Sequence, residues 1–315
     1  MLPSKHAYLT GAGGVLASRG ISLVAGILSL WFLNQLLTTE DFAAYAVAMT
    51  VIILAGYTSG LGMERALILR IAGLEQHKGK LLGRTMMVRT LLVVLVLSCL
   101  SAIALVLVAQ HAEMAAAATT WRWIEKLAPA VPATAAGLVL TSWFQANHRI
   151  GTSELMQGLN DGARCLFFLA ALPLGLGSGA VIAGAIAAAV LPSLTLSLLA
   201  KGRSLGPPEH FGIRNIWAGA QFLAMRLSQM GLRQLDIISI GFLGSGTETA
   251  HYVVASRVAA FATLGQETFA STYGPRARRH LAAGDMVTMA QEYHSARVFG
   301  FLAALLAALL FIVFG

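Results

Sequence analysis

The stretch Leu16-Ala17-Ser18-Arg19-Gly20-Ile21-Ser22-Leu23-Val24-Ala25-Gly26-Ile27-Leu28-Ser29 sets one arginine inside a long apolar run. A second run of the same kind, Leu223-Ala224-Met225-Arg226-Leu227-Ser228-Gln229-Met230-Gly231-Leu232-Arg233-Gln234-Leu235-Asp236, begins 207 residues later (226 − 19). At that offset Ala43, Tyr45, Val47, Ala48, Val51 and Ala55 also match Ala250, Tyr252, Val254, Ala255, Val258 and Ala262. Apolar identities are cheap in a chain rich in Ala and Leu, so the arginine and the tyrosine carry the match. Helical spacing places Arg19, Ser22, Gly26 and Ser29 on one face, and does the same for Arg226, Gln229, Arg233 and Asp236. A duplicated membrane helix with an arginine-bearing inner face implies a two-lobed transporter with a polar cavity between its lobes.

Composition supports the membrane setting. The chain is 57% hydrophobic and 11% charged with a mean hydropathy of +0.73, whereas soluble domains carry roughly 25% charged residues. Nine spans are expected, near residues 14–37, 43–69, 88–109, 127–146, 155–174, 179–200, 213–243, 250–272 and 297–315; each approaches the roughly 20 apolar residues that a bilayer helix needs. The seventh is too long for one straight crossing and should tilt, kink or lie partly in the interface. The first has no small-residue cleavage site after it and reads as a retained helix rather than a removed signal. The fold class is therefore an all-α polytopic bundle. Its expected organisation is a six-helix N-terminal lobe over 1–205 and a partial, three-helix C-terminal lobe over 206–315. The apolar run that ends at Gly315 suggests an incomplete second lobe, and with it a truncated chain.

Basic residues alternate between loops. Arg70, Lys78, Lys80 and Arg84, then Arg149, then Lys201 and Arg203, then Arg276, Arg278 and Arg279 fall on one side. Glu40, Asp41 and Glu248 fall on the other, with a balanced set of Glu113, Arg122, Glu125 and Lys126. The positive-inside rule then puts the N-terminus in the cytoplasm. This loop excess also accounts for most of the +8 net charge, so that charge gives no reason to expect nucleic acid as a partner. Cys99 and Cys165 fall in spans without a CxxC partner and read as small apolar fillers.

Catalytic motifs are missing. Gly73-Leu74-Glu75-Gln76-His77-Lys78-Gly79-Lys80 has five residues between its glycines, and Leu81 stands where a phosphate loop needs Ser or Thr for magnesium. The eight histidines show no metal-ligand spacing on one helix, and neither GxSxG nor HExxH occurs. No enzyme, metal or cofactor is expected.

Charges inside the membrane are the informative residues, because each costs roughly 2.5–3.5 kcal/mol at the centre of a lipid-facing helix. Glu64 and Arg65 fall late in the second span, where snorkelling to the cytoplasmic interface is cheap. Asp161 and Arg164, three apart, can pair. Arg19, Arg226 and Arg233 head polar stripes, and Gln157, Asn160, Asp161 and Arg164 add another. Together the stripes describe a cavity with more positive than negative charge, suited to phosphate or pyrophosphate because a guanidinium binds either in a bidentate way. The competing reading is that these arginines only lock helices together through Asp236, Asp161 and Glu267.

The segment Leu36-Leu37-Thr38-Thr39-Glu40-Asp41-Phe42-Ala43-Ala44-Tyr45-Ala46-Val47-Ala48 resembles the first-loop pattern of the Wzx-type polysaccharide (O-antigen) flippases. Gly60-Leu61-Gly62-Met63-Glu64-Arg65-Ala66 is similar to that family's second-helix ending. Asp236–Gly244 with Ala250-His251-Tyr252, and Pro275 with Ala282-Ala283-Gly284-Asp285, are similar to its later signatures. These flippases belong to the multidrug/oligosaccharidyl-lipid/polysaccharide exporter superfamily. The resemblance implies a flippase moving an undecaprenyl-pyrophosphate-linked oligosaccharide, an O-antigen or exopolysaccharide unit, across the bacterial inner membrane. It further implies two lobes rocking around a cationic cavity, coupling to an ion gradient, contact with membrane lipid, and polysaccharide polymerase and glycosyltransferases as partners. On that basis Arg19, Arg226 and Arg233 would contact phosphate, Asn160 and Gln229 would meet sugar hydroxyls, and Arg164 would line the same cavity. Asp236 would orient Arg233 or carry a coupling proton. The alternatives are a multidrug cation antiporter of the same superfamily, a flippase for a peptidoglycan precursor, and a truncated, non-transporting membrane subunit.

Overall fold

The computed structural model describes residues 5–68, 84–112, 117–146, 150–175, 177–199 and 213–259, with scattered positions between 280 and 305. Every regular element among the described residues is helical. In chain order they are α1 (Lys5–Leu36), α2 (Thr39–Ser59), α3 (Arg84–Ala112), α4 (Ala118–Leu127), α5 (Ala130–Ala146), α6 (Ile150–Leu174), α7 (Gly177–Leu199), α8 (Ile213–Leu243) and α9 (Gly246–Ala259). A polytopic helical bundle is what a bilayer demands, because a helix satisfies its own backbone hydrogen bonds where no water can.

Among the described residues, three helices are long and apolar enough to cross a membrane: Thr39–Ser59, Met86–Ala112 and Gly177–Thr195. Ala118–Leu127 and Ala130–Ala146, bent by 55° at their junction, make a fourth together. The nine-span expectation exceeds this for a physical reason. In α1 the apolar part among the described residues is Gly20–Leu36 and in α8 it is Gln234–Leu243, each short of the roughly 20 apolar residues of a span, while Asn160, Asp161 and Arg164 interrupt α6. The ninth expected span and most of the eighth lie outside the described residues, as do the basic loops.

Two boundaries differ from expectation. The second span does not run unbroken to 69. It ends at Ser59, and Leu61 and Gly62 take left-handed backbone angles (φ 48° and 67°) before a short helical segment over 63–68. The fourth span starts earlier, with the amphipathic α4. The seventh span has the bounds expected for it and is one uninterrupted 31-residue helix, about 46 Å long at 1.5 Å per residue, so its excess length is not relieved by a break.

Helix α2 is the hub: α3, α4, α5, α8 and α9 all pack on it, while α6 joins α1 and α7. Small residues permit the close approaches, as is usual where helices meet without a hydrophobic driving force. A Cβ on Gly158 would lie 2.9 Å from Ser18 Oγ, which brings α6 against α1. Helices α2 and α8 run antiparallel and touch along their length. A Cβ on Gly62 would meet the Gly219 carbonyl oxygen at 2.2 Å near one end, and a Cβ on Gly241 would meet Val47 Cγ2 at 2.1 Å near the other. Two apolar clusters fill the interior, one around Phe32, Phe42, Tyr45, Ile52, Trp123 and Phe168, the other around Met63, Leu67, Val94, Trp143 and Phe144. Outside, Leu92, Val96, Leu100, Ile103 and Leu107 form an exposed stripe down α3. Their spacing of three and four makes one helix face, which lipid tails would solvate.

The repeat offset reappears in helix capping. Thr38 Oγ1 accepts from the Asp41 amide (3.2 Å) and donates to Asp41 Oδ2 (3.0 Å) at the start of α2. At the start of α9, Ser245 Oγ accepts from the Glu248 amide (3.2 Å), and the Ser245 amide and hydroxyl both donate to Glu248 Oε2 (3.0 Å each). Both pairs are reciprocal caps of the kind that satisfies orphan N–H groups at a helix start. They are 207 residues apart (245 − 38 and 248 − 41).

Candidate functional site

The polar stripe of α8 turns Arg226 toward α2. There its Nη2 donates a 2.9 Å hydrogen bond to the Tyr57 hydroxyl, and the guanidinium carbon sits 4.6 Å from the centre of the Tyr57 ring. Its Nε is buried without a hydrogen-bond partner. The arginine is therefore held by a neutral phenol and its π face rather than by a carboxylate, so its positive charge is not cancelled by direct pairing.

Glu64 and Arg65 complete this group, and here the snorkelling expectation fails. Glu64 is only 5% exposed and its Oε2 is buried with no hydrogen-bond partner. After the turn at Gly60–Gly62 the 63–68 segment stays inside the bundle, with Met63 and Leu67 in the second apolar cluster and Glu64 buried between them in sequence. The charges of Arg65 and Arg226 both act on Glu64.

A second polar group surrounds Tyr45, twelve residues earlier on α2. Tyr45 is buried and packs edge-on against Trp123, whose Nε1 donates to Asp41 Oδ1 at 3.1 Å. The charges of Arg164 on α6 and Arg257 on α9 act on Tyr45, and Arg164 and Asp161 both act on Arg257. Arg164 Nε and Asn160 Oδ1 are buried without partners, one helical turn apart on α6.

Asp236 stands apart from both groups. Its Oδ2 accepts a hydrogen bond from the Tyr252 hydroxyl of α9, and its Oδ1 accepts from the Ile237 amide at 2.8 Å. A cleft of about 490 Å³ lies beside this pair, lined by Ser239, Ile240, Leu243, Gly244, Glu248 and Tyr252. Gln229 lies on the exposed side of α8. The backbones of Arg19, Gln157 and Arg233 are helical, but their side chains lie outside the described residues, as does Glu267. The structure thus joins Arg226 to Tyr57 across α8 and α2, buries Glu64 just beyond Tyr57, and sets Asn160 and Arg164 one turn apart on α6. It does not bring Arg226 and Arg164 into one group.

Sequence reasoning did not single out Tyr57, Arg257 or Tyr45 as site residues. For Tyr45 a signal existed, since its repeat mate Tyr252 holds Asp236. For Tyr57 no local pattern points 169 positions along the chain to Arg226.

No protein-family model and no curated protein sequence matches the chain. Solved structures do. A multidrug resistance MATE family transporter of the MOP superfamily, in an outward-facing conformation, is similar with a TM-score of 0.68 and 15% identity, over 96% of this chain and 70% of its own. A eukaryotic MATE transporter, AtDTX14, is similar at 0.65 and 16%, over 91% and 67%. A MOP superfamily transporter from Pyrococcus furiosus is similar at 0.59 and 14%, over 96% and 70%; the reverse polarity of its binding pocket is described as suggesting a different function. At such identities the likeness is one of fold: this chain is a polytopic helical bundle with the architecture of the MATE transporters of the MOP superfamily.

Proposed function

We propose that the chain is a membrane exporter that flips an undecaprenyl-pyrophosphate-linked oligosaccharide across a bacterial inner membrane, with its N-terminus in the cytoplasm. The observation that carries this reading is Arg226, a guanidinium inside an apolar helix whose hydrogen-bond partner is a tyrosine and whose Nε is left open. Such a group keeps its charge and donor capacity for an anion, and the low dielectric of a membrane interior strengthens the attraction. Pyrophosphate is the anion that a lipid-linked glycan presents. In this reading the polyprenyl tail stays in lipid, the sugars meet polar groups such as Asn160 and Gln229, and Arg19 and Arg233 join Arg226 as phosphate contacts. The capping pairs repeated at 207 residues support two lobes, over 1–205 and 206–315, that move against each other. Polysaccharide polymerase and glycosyltransferases are the partners that such a cargo would require.

A second reading, a multidrug cation antiporter, is favoured by one specific observation: the buried, unpaired Oε2 of Glu64. A carboxylate oxygen without a hydrogen-bond partner is what a cationic drug would seek, and the first transporter compared above is described as a multidrug resistance transporter. Proteoliposomes separate the two readings. The exporter should move a fluorescent undecaprenyl-pyrophosphate oligosaccharide between leaflets and leave a cationic dye untouched. Dye movement without glycan movement would replace the first reading with the second.

A further inference from the structure

Helix α4 lies across the end of the bundle, bent by 55° from α5. Two contacts fix it there. Trp123 Nε1 donates to Asp41 Oδ1 at the start of α2 (3.1 Å), and Trp121 packs on Phe242 at the end of α8 with ring centroids 5.4 Å apart. Trp123, Ile124 and Leu127 are buried in the first apolar cluster, whereas Thr119, Arg122 and Lys126, spaced three and four apart, are exposed. Neither cation has a salt-bridge partner among the described residues. Glu125, the acid on the same helix, is held instead by α3, where Gln110 Nε2 donates to its Oε1 at 3.2 Å.

Gln110 ties this cationic face to the lipid-facing side of α3. The exposed stripe of Leu92, Val96, Leu100, Ile103 and Leu107 reaches the exposed Gln110 at its next step, three residues on. An apolar strip therefore runs up to the level at which Arg122 and Lys126 stand. Trp121 and Trp123 share that level, as tryptophans do where hydrocarbon gives way to headgroups. A lipid on this strip would set its tail against α3 and its phosphate beside the two cations. Four residues apart on a helix, their Cβ atoms are about 6 Å from each other, close enough to straddle one phosphate. Like charges at that spacing repel, and an anion between them removes the repulsion.

We propose that Arg122 and Lys126 form a docking site for the phosphate of an anionic bilayer lipid, seated with its acyl chains along α3. The occupant is a lipid rather than a soluble anion because the cations stand at the head of a strip that hydrocarbon covers. Asp41 and Tyr57, which mark the levels of α4 and of Arg226, are sixteen residues apart on α2 (57 − 41), about 24 Å by helical rise. The lipid site is thus distinct from Arg226, and it does not rest on the glycan reading. With the N-terminus in the cytoplasm it faces the periplasmic leaflet.

The test is native mass spectrometry of the full chain, purified in a neutral detergent and titrated with phosphatidylglycerol or with phosphatidylcholine of the same acyl chains. A cation near the membrane surface strengthens the hold on anionic lipid by about fivefold. The wild type should therefore prefer phosphatidylglycerol for its tightest-bound lipid, and the double variant Arg122→Gln with Lys126→Gln should lower that preference by about 25-fold. The double variant Arg122→Lys with Lys126→Arg keeps both charges and should keep the preference, which separates lost charge from misfolding. Arg89→Gln removes an exposed cation from α3, about 32 Å from Gln110 by helical rise, and should leave the preference unchanged. No preference in the wild type, an intact preference in the double glutamine variant, or an equal loss in Arg89→Gln overturns the proposal. Inorganic pyrophosphate, titrated by calorimetry, tests the other occupant: an equivalent that disappears in the double glutamine variant would make this a site for a soluble anion and overturn the lipid assignment. A chain that keeps the lipid preference yet flips no glycan refutes the glycan reading and leaves this site standing.

Discussion

Gly62→Ala tests the junction on which the site is built. Gly62 sits at φ 67°, where an L side chain is strained; the left-handed region costs a non-glycine residue about 1–2 kcal/mol. The added methyl would lie 2.2 Å from the Gly219 carbonyl oxygen and 2.7 Å from the Leu223 amide nitrogen. Both are backbone atoms, so no rotamer change relieves the clash, and the helices must part. Overpacking of that kind costs about 1–3 kcal/mol. The sum is about 2–5 kcal/mol, a large share of a typical stability of about 5–15 kcal/mol. At about 2 °C per kcal/mol the melting temperature should fall by roughly 4–10 °C. The assay is thermal unfolding of the detergent-purified chain, followed by tryptophan fluorescence and circular dichroism, with Gly20→Ala as the control. Gly20 lies inside α1, and a methyl added there would meet nothing within 4 Å, so alanine should be neutral or stabilising by up to about 1 kcal/mol. If Gly62→Ala melted with Gly20→Ala, the close approach of α2 and α8 would be refuted, and with it the placement of Arg226 against Tyr57.

Three further outcomes follow from particular contacts. Tyr57→Phe removes the 2.9 Å hydrogen bond to Arg226 but keeps the ring beneath it, and should cost about 0.5–1.5 kcal/mol by thermal melting. Tyr57→Ala should cost more, since it also removes the cation–π contact and the ring itself; equal losses for the two variants would contradict the stacking role. Thr38→Ala and Ser245→Ala each delete one of the equivalent caps and should each destabilise by about 0.5–2 kcal/mol, read in the same melt; a loss in only one would show that the caps are not equivalent. The amide and hydroxyl of Ser245 hold the Glu248 carboxyl below its ordinary value of 4.5. A depressed acid stabilises above its unfolded pKa and loses that contribution as pH falls through the folded value. The advantage of wild type over Glu248→Gln in melting temperature should therefore be full near neutrality and shrink as pH drops below about 4.5; an advantage that grew on acidification would reverse the sign.

Much of the bundle was legible because the bilayer narrows the choices. Apolar runs of the right length must be helices, so α3 and α7 stand where their sequences put them, and α2 does so up to its break. What was not legible depends on contacts across the chain. The break at Gly60–Gly62 is hidden inside an apolar run, because glycines there read equally well as helix packing. The burial of Glu64 was out of reach as well: a charge late in a span reads as interfacial unless the packing around it is known. Helical spacing puts Arg226 on the face toward α2, but spacing does not reveal the partner, and Tyr57 lies on another helix. Asp236 was linked in sequence to Arg233, whose side chain lies outside the described residues; the structure adds Tyr252 as a partner of its carboxylate, which the repeat had marked only as a match to Tyr45.

The central claim is that Arg226 is a cargo contact rather than a helix lock. Its most direct test is the initial rate at which reconstituted chain flips a fluorescent undecaprenyl-pyrophosphate oligosaccharide, compared between wild type and Arg226→Gln at matched melting temperature and insertion. The account predicts rapid flipping by the wild type and a loss of at least tenfold in the variant, equivalent to about 1.4 kcal/mol. Equal rates from the two proteins would contradict it.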